Sequence, residues 1–230
     1  MSISLFKFKG GVKPPTHKNE STGLPIAKAP LPSHLVVPLH QSIGGMPRPV
    51  VAAGDKILKG QLIGEADGWI SAAVHAPTSG TVRAVAMHAQ PHPSGLDALC
   101  VVIEPDGRDE WIAREPVDYK SLKPEEVRER LQQAGVVGLG GAVFPTHGKL
   151  TASKTVPMDE LVINGAECEP YITCDDVLMR AHADRVVEGA RVLRHAVGAG
   201  TVLVGIEDNK PEAIAAMQRA VAAASDSRIA

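Results

Sequence analysis

Lys123-Pro-Glu-Glu-Val-Arg-Glu-Arg-Leu-Gln-Gln-Ala134 is where the chain changes character. Proline in the first turn, acids directly after it and Gly135 as a stop predict a helix. Beyond it, Leu161-Val-Ile163 is a short apolar run of strand type. From Ala183 to Val197, the residues Val186, Val187, Ala190, Leu193 and Val197 fall on one helical face. Thr201-Val-Leu-Val204 predicts a further strand, and Lys210 to Ala224 a further helix. Strands alternating with helices imply a mainly parallel α/β sheet. Residues 117–230 are therefore expected to form an α/β domain.

Upstream of that boundary the pattern is all-β. Leu35-Val-Val-Pro-Leu39 reads as a short strand, and turn signals follow at Gly44-Gly45, Ala53-Gly54-Asp55, Lys59-Gly60, Asp67-Gly68 and Ser79-Gly80. Short apolar runs lie between them, the last being Leu99-Cys-Val-Val-Ile103. Strands with turns every eight to twelve residues predict a small sandwich or barrel over residues 35–116. Residues 1–34 are expected to be an extended arm. Pro14, Pro15, Pro25, Pro30 and Pro32 oppose helix and hold the chain near polyproline II or loop geometry.

Composition narrows the classes. The 230 residues are 44% hydrophobic but only 3% aromatic, so the core must be built from Val, Ile, Leu and Ala. A formal charge of −2 gives no electrostatic case for nucleic acid or an anionic membrane surface. The three cysteines, Cys100, Cys168 and Cys174, are odd in number and lack CxxC spacing. That argues against a disulfide framework, a zinc site or a four-cysteine iron–sulfur site within these residues, and a reducing compartment fits best. Met1 to Lys9 does not read as a signal peptide, and no apolar run approaches the roughly 20 residues of a spanning helix. No direct membrane span is expected.

Two segments carry candidate chemistry. The first is Gly138-Leu-Gly-Gly-Ala-Val-Phe-Pro-Thr-His-Gly-Lys149. Clustered glycines before a helix start let backbone N–H groups approach an anion, and a helix N-terminus behind them favours phosphate. Pro145 is placed to open that helix, and Lys149, about one turn later, is placed to reach the same phosphate or a ring carbonyl. The stretch is not a dinucleotide fingerprint: Val143 holds the third glycine position and a helix precedes the loop. It is not a Walker A loop either, because Leu150 replaces Ser or Thr.

The second is Asn164-Gly-Ala-Glu-Cys-Glu-Pro-Tyr-Ile-Thr-Cys-Asp-Asp176, directly after the strand at Leu161. Open α/β sheets bind ligands at strand C-terminal ends. Asn164 offers a donor and an acceptor there. Glu167 and Glu169 are two apart, so in extended chain they face the same way. Such carboxylates suit ribose hydroxyls and repel an extra 2′-phosphate, favouring NAD over NADP. Cys168 lies between two acids, which disfavours a nucleophilic thiolate. A plain loop with Asp175 capping the next helix is the competing structural reading. The nine histidines have no convincing metal spacing; His75, His88 and His92 read as surface or packing residues. Trp69, Trp111 and Phe144 read as core, with Phe144 also placed to line a ring pocket.

Together these segments resemble the C subunit of the Rnf electron-transport complex and, more distantly, the NADH-binding flavoprotein subunit of respiratory complex I. Gly10-Gly-Val-Lys-Pro-Pro15, His75-Ala-Pro-Thr-Ser-Gly-Thr81 and Glu207-Asp-Asn-Lys-Pro211 resemble the same Rnf protein, in the same order. The resemblance implies a Rossmann-like flavin and NADH domain. It also implies a hydride passing from NADH to FMN, with electrons leaving singly through iron–sulfur clusters to membrane partners. By the resemblance, Gly138, Gly140, Gly141 and Lys149 hold FMN, Asn164 lies near the flavin, and Glu167 and Glu169 lie near flavin and nicotinamide. No residue is assigned acid–base catalysis and none a metal. The 4Fe-4S clusters are expected beyond residue 230, in a part of the Rnf protein that this chain lacks. Expected partners are the other subunits of the complex, at the cytoplasmic face of a bacterial inner membrane.

Departures from the complex I pattern are Leu139 for arginine, Val143 and His147 for glycines, and Ala166 for aspartate. Rnf-type proteins share the leucine and the alanine. Ala53-Gly-Asp-Lys-Ile-Leu-Lys-Gly-Gln-Leu62 with His75-Ala-Pro-Thr-Ser-Gly-Thr-Val82 also resembles a biotinyl or lipoyl carrier domain. Ile63 to Val74 contains no lysine to modify, so a retained scaffold used for packing or docking is expected. The alternative for the whole chain is a non-catalytic docking protein with an empty flavin site.

Overall fold

A computed structural model of the chain describes residues 11–12, 14–151 and 156–230. Residues 1–10 and Lys13 of the expected arm lie outside it. The chain divides into two compact units. One comprises residues 28–161 and 189–202, the other residues up to 27 with 162–188 and 203–230.

In the first unit, β1 (Leu35–Pro38), β7 (Asp97–Pro105), β6 (Gly80–Ala89) and β3 (Lys56–Ile57) form one antiparallel sheet in that order. β2 (Arg48–Pro49), β4 (Leu62–Glu65) and β5 (Val74–His75) form a second. This is the β module expected from the turn spacing. Its core is aliphatic, as the composition requires: Leu39, Ile63, Val82, Val101 and Ile103 are fully buried. Burial of each such side chain stabilises by about 1.5–3 kcal/mol. Gly64 shows how tightly the module closes, since a Cβ there would lie 2.8 Å from Leu39 Cδ2.

The same unit holds α2 (Pro124–Gln133) and α3 (Thr146–Leu150). α2 starts as expected, with Pro124 in its first turn and the Glu126 carboxylate accepting from the Lys123 amide at 2.6 Å. Gly135, at φ +69°, ends it. Val127, Leu150 and Ala196 are the buried centre of a second apolar cluster, flanked by Leu122, Leu131 and Leu193.

Two aromatic expectations are corrected. Trp69 is 59% exposed and Trp111 46% exposed, so neither belongs to the core. Val, Ile and Leu already fill the module. The Trp111 indole instead lies across Gly60, with Lys59 Nζ 5.1 Å and the Arg114 guanidinium 4.5 Å from its ring. Phe144 is half-buried, with its ring against Gly148.

β8 (Glu160–Gly165) and β9 (Thr201–Ile206) pair as a two-stranded sheet joined through α4 (Cys174–Val197). The Asp159 carbonyl accepts from Gly200 N at 3.0 Å, while a Cβ on Gly165 would lie 2.9 Å from the Gly205 carbonyl. Both starts and both ends adjoin, so the strands run parallel, as a strand–helix–strand unit requires. α4 begins nine residues before the expected Ala183. His182, at φ −139° and ψ 41°, interrupts it, and the apolar face read from the sequence lies on its second limb. α5 (Pro211–Ala224) follows β9.

The arm is also corrected. Proline does not exclude helix throughout it: α1 (Asn19–Thr22) forms a single turn between Pro15 and Pro25. Residues 16–22 are not a free surface segment but dock within the second unit, as described below. Among the described residues, no helix is long and apolar enough to cross a membrane.

Candidate functional site

The glycine segment lies in the first unit. The Gly138 amide donates to the Phe144 carbonyl at 2.9 Å, and the Val143 amide to the Gly140 carbonyl at 3.0 Å. These bonds fold residues 138–144 into a tight loop. Val143 sits at φ +44°, a conformation that a β-branched side chain rarely adopts and that the surrounding bonds must hold. Its carbonyl is tied to the Ile43 amide at 3.3 Å. Gly140 and Gly141 are exposed, with open space where a Cβ would stand. Gly138 differs: a Cβ there would collide with Lys149 Nζ. Lys149 thus lies against the backbone of the loop.

The β module buttresses this loop from below. His147 is 5% exposed and its Nε2 donates to the Trp69 carbonyl at 2.7 Å, while Nδ1 is buried without a hydrogen-bond partner among the described residues. Ile70 Cδ1 approaches Gly148. Pro145 caps α3 as expected, but the described helix has only five residues, so its dipole is small and the phosphate argument rests on the loop and Lys149.

The acidic segment lies in the second unit. Asn164 is exposed at the end of β8, and its Oδ1 accepts from the Ala166 amide at 3.0 Å. That bond turns the chain and uses the side-chain oxygen as its acceptor. Glu167 and Glu169 do not face the same way, because the chain bends after the strand instead of staying extended. Glu169 is exposed; the Glu167 side chain is 2% exposed. Glu167 Oε1 accepts from the Asp175 amide at 2.8 Å and from Cys174 Sγ at 3.3 Å, while Oε2 lies 3.4 Å from Lys210 Nζ. Glu167, not Asp175, therefore caps α4.

Electrostatics follow from this packing. Burial opposes ionisation of Glu167, but the Asp175 amide, the Cys174 thiol and Lys210 outweigh it and hold the carboxyl below its ordinary value. Burial, then the Glu167 charge, pushes the Asp175 carboxyl up. Burial and the Glu167 contact push the Cys174 thiol up, which disfavours its thiolate form. Lys210 also lies 3.3 Å from Glu207, whose carboxyl is lowered because Lys210 outweighs its burial. Glu167, Cys174 and Asp175 bring possible metal ligands within 4.8 Å of one another. The Lys210 ammonium already holds the cation position on Glu167, so the group takes no metal assignment.

Three side chains that shape the two segments were not singled out from the sequence. Lys210 carries a signal, because a cation at a helix N-terminus runs against the dipole and needs a compensating acid. His147 stood out only as a replaced glycine. Lys18, whose ammonium donates to the Glu167, Glu169 and Ile172 carbonyls, had no signal at all.

A family model described as the RnfC barrel sandwich hybrid domain matches residues 6–108, and one described as the Nuo51 FMN-binding domain matches residues 131–230. The chain is similar to Rnf C subunits along nearly its whole length. It is 49% identical over 218 residues to the C subunit of the ion-translocating oxidoreductase complex of Serratia proteamaculans (strain 568), covering 94% of this chain and 31% of that protein. To the corresponding C subunit of Pasteurella multocida (strain Pm70) it is 48% identical over 230 residues, covering 99% and 27%. It thus spans about a third of the length of the curated relatives it matches. An NAD+-reducing NiFe hydrogenase in the H2-reduced state aligns with a TM-score of 0.40 at 27% identity, over 47% of this chain and 20% of that one. The barrel-sandwich and α/β classes read from the sequence agree with both family descriptions.

Proposed function

We propose that this chain is the flavin-binding, NADH-oxidising part of a subunit of an ion-translocating electron-transport complex. The observation that carries the reading is the glycine loop. Gly140 and Gly141 present exposed backbone without side chains, and Lys149 packs on Gly138 beside them. This loop lies within the residues similar to an FMN-binding domain. An exposed backbone turn with an adjacent ammonium suits a phosphate monoester, so the donor set fits the phosphate end of FMN. Gly138, Gly140, Gly141 and Lys149 are assigned to it.

Asn164 and Glu169 are assigned to the flavin and nicotinamide nucleotide. The Asn164 amide supplies a donor, and the exposed Glu169 carboxylate an acceptor for ribose hydroxyls. Glu167 acts from behind: its carboxylate holds the start of α4 and Lys210, and so fixes the loop that carries Glu169. Bound FMN supplies the chemistry of accepting a hydride and releasing electrons singly. The protein's part is placement, so no side chain is assigned as an acid or base. Iron–sulfur clusters and the other subunits of the complex are the proposed electron exit, with the chain peripheral at the cytoplasmic face of the membrane.

The test is a titration of FMN into the purified chain, followed by flavin fluorescence. Saturable quenching at one site per chain supports the reading. No binding at any concentration contradicts it, and leaves the chain as a docking scaffold built on its β module.

A further inference from the structure

We propose that Lys18 is a positioning residue that sets the shape of the loop carrying Glu169, an inference that rests on the functional reading above. The Lys18 ammonium donates to three backbone carbonyls of one loop: to Glu167, to Glu169 at 3.1 Å and to Ile172 at 2.8 Å. Three donors on one nitrogen meet three acceptors, which satisfies an ammonium completely. Residues 167–172 belong to neither helix nor ladder, so their carbonyls depend on such partners. Lys18 comes from a segment about 150 positions away in sequence, and without it the loop loses a group that ties both its ends and its middle together.

The neighbouring contacts show a built clasp, not a chance encounter. The Tyr171 amide donates to the Thr16 carbonyl at 2.8 Å, Ser21 Oγ to the Tyr171 carbonyl at 3.2 Å, and Thr173 Oγ1 to Ser21 Oγ at 2.9 Å. The Arg180 guanidinium reaches the Thr22 carbonyl at 2.7 Å. His17 and Tyr171 stack with ring centroids 4.7 Å apart and planes 3° from parallel. Both sit in the left-handed region, at φ +50° and +68°, which non-glycine residues occupy only when their surroundings hold them. The clasp grips the backbone of the loop and leaves the Glu169 side chain exposed. It therefore fixes where that carboxylate points without covering it.

The test compares the wild-type chain with Lys18→Ala and with Lys18→Met, which keeps an apolar stem but no donors. Amide hydrogen exchange over residues 167–173 is read first, without ligand. Both variants should exchange there at least about tenfold faster, with residues 35–105 unchanged. Propylammonium, which has the shape of the side chain deleted in Lys18→Ala, should restore part of the protection in Lys18→Ala and none in Lys18→Met. Tetramethylammonium should restore neither. NADH affinity should fall about tenfold in both variants, with FMN affinity within about twofold of wild type. Unchanged exchange in both variants overturns the proposal, as does faster exchange with unaltered NADH affinity. A wild-type chain that binds no NADH overturns the functional reading instead, and exchange alone then decides whether Lys18 orders the loop.

Discussion

Lys210 Nζ lies 3.4 Å from Glu167 Oε2, and both side chains are 2% exposed. A buried ion pair of this kind is weak evidence for net stabilisation, yet removing one partner strands a charge away from water. Lys210→Met is expected to destabilise the chain by about 3 kcal/mol. Glu167→Gln should cost less than Lys210→Met, because the amide oxygen still caps α4. Urea unfolding of the three proteins, followed by far-ultraviolet circular dichroism, checks the order. Equal midpoints for all three would show that the pair contributes nothing.

Acid should weaken the same region. Glu167 and Glu207 have depressed folded-state pKa values, so their contribution is fully present above the ordinary glutamate value of 4.5. It is lost as pH falls through the folded values. Asp109 behaves likewise in the β module: hydrogen bonds from Lys59 and Thr78 lower it from 3.8 to about 2. Stability is therefore expected to hold from neutral pH to about 4.5 and to fall steadily below it. Glu167→Gln should flatten the upper part of that fall and Asp109→Asn the lower part. Thermal midpoints measured at intervals from pH 7 to pH 2 test both slopes.

The glycine loop makes two substitutions informative. Lys149→Ala removes the ammonium assigned to phosphate and should weaken FMN binding about 10- to 100-fold. Gly138→Ala leaves Lys149 intact but drives a Cβ into its Nζ, and Gly138 is outside the left-handed region, so the backbone tolerates alanine. It should weaken FMN binding in the same direction with little loss of stability. Fluorescence titration paired with a thermal melt separates the two effects. Wild-type affinity in both variants would remove Lys149 from the site.

Glu169 is the exposed member of the acidic pair. If it meets the nucleotide ribose, its charge repels a 2′-phosphate. Glu169→Gln should narrow the preference for NADH over NADPH by about fivefold, chiefly through tighter NADPH binding. An unaltered ratio of the two dissociation constants would place Glu169 away from the 2′ position.

Much of the architecture was legible because its causes are local. Turn residues at regular spacing specify the β module, and Pro124 with Glu126 specifies the start of α2. The strand at Leu161 and the helix face through Val187 and Leu193 are periodic signals of the usual kind. What sequence could not carry depends on contacts between distant positions. Alternation suggested that Glu167 and Glu169 share a face, and only the bend after β8 separates them. Nothing near Lys18 announces three carbonyls about 150 residues away. The prolines around α1 argued for a free arm, whereas Thr16, Lys18 and Ser21 make it part of the fold. Trp111 was misread because an aromatic residue in an aliphatic protein invites a core assignment, while the cations of Lys59 and Arg114 against its ring hold it at the surface.

The most direct test of the account is anaerobic addition of NADH to the FMN-loaded chain, with absorbance followed at the flavin band. The expected result is bleaching with NADH, little with NADPH at equal concentration, and return of the band on admitting oxygen. A flavin that binds saturably yet keeps its full absorbance under excess NADH would contradict the claim that these residues place a nicotinamide for hydride transfer.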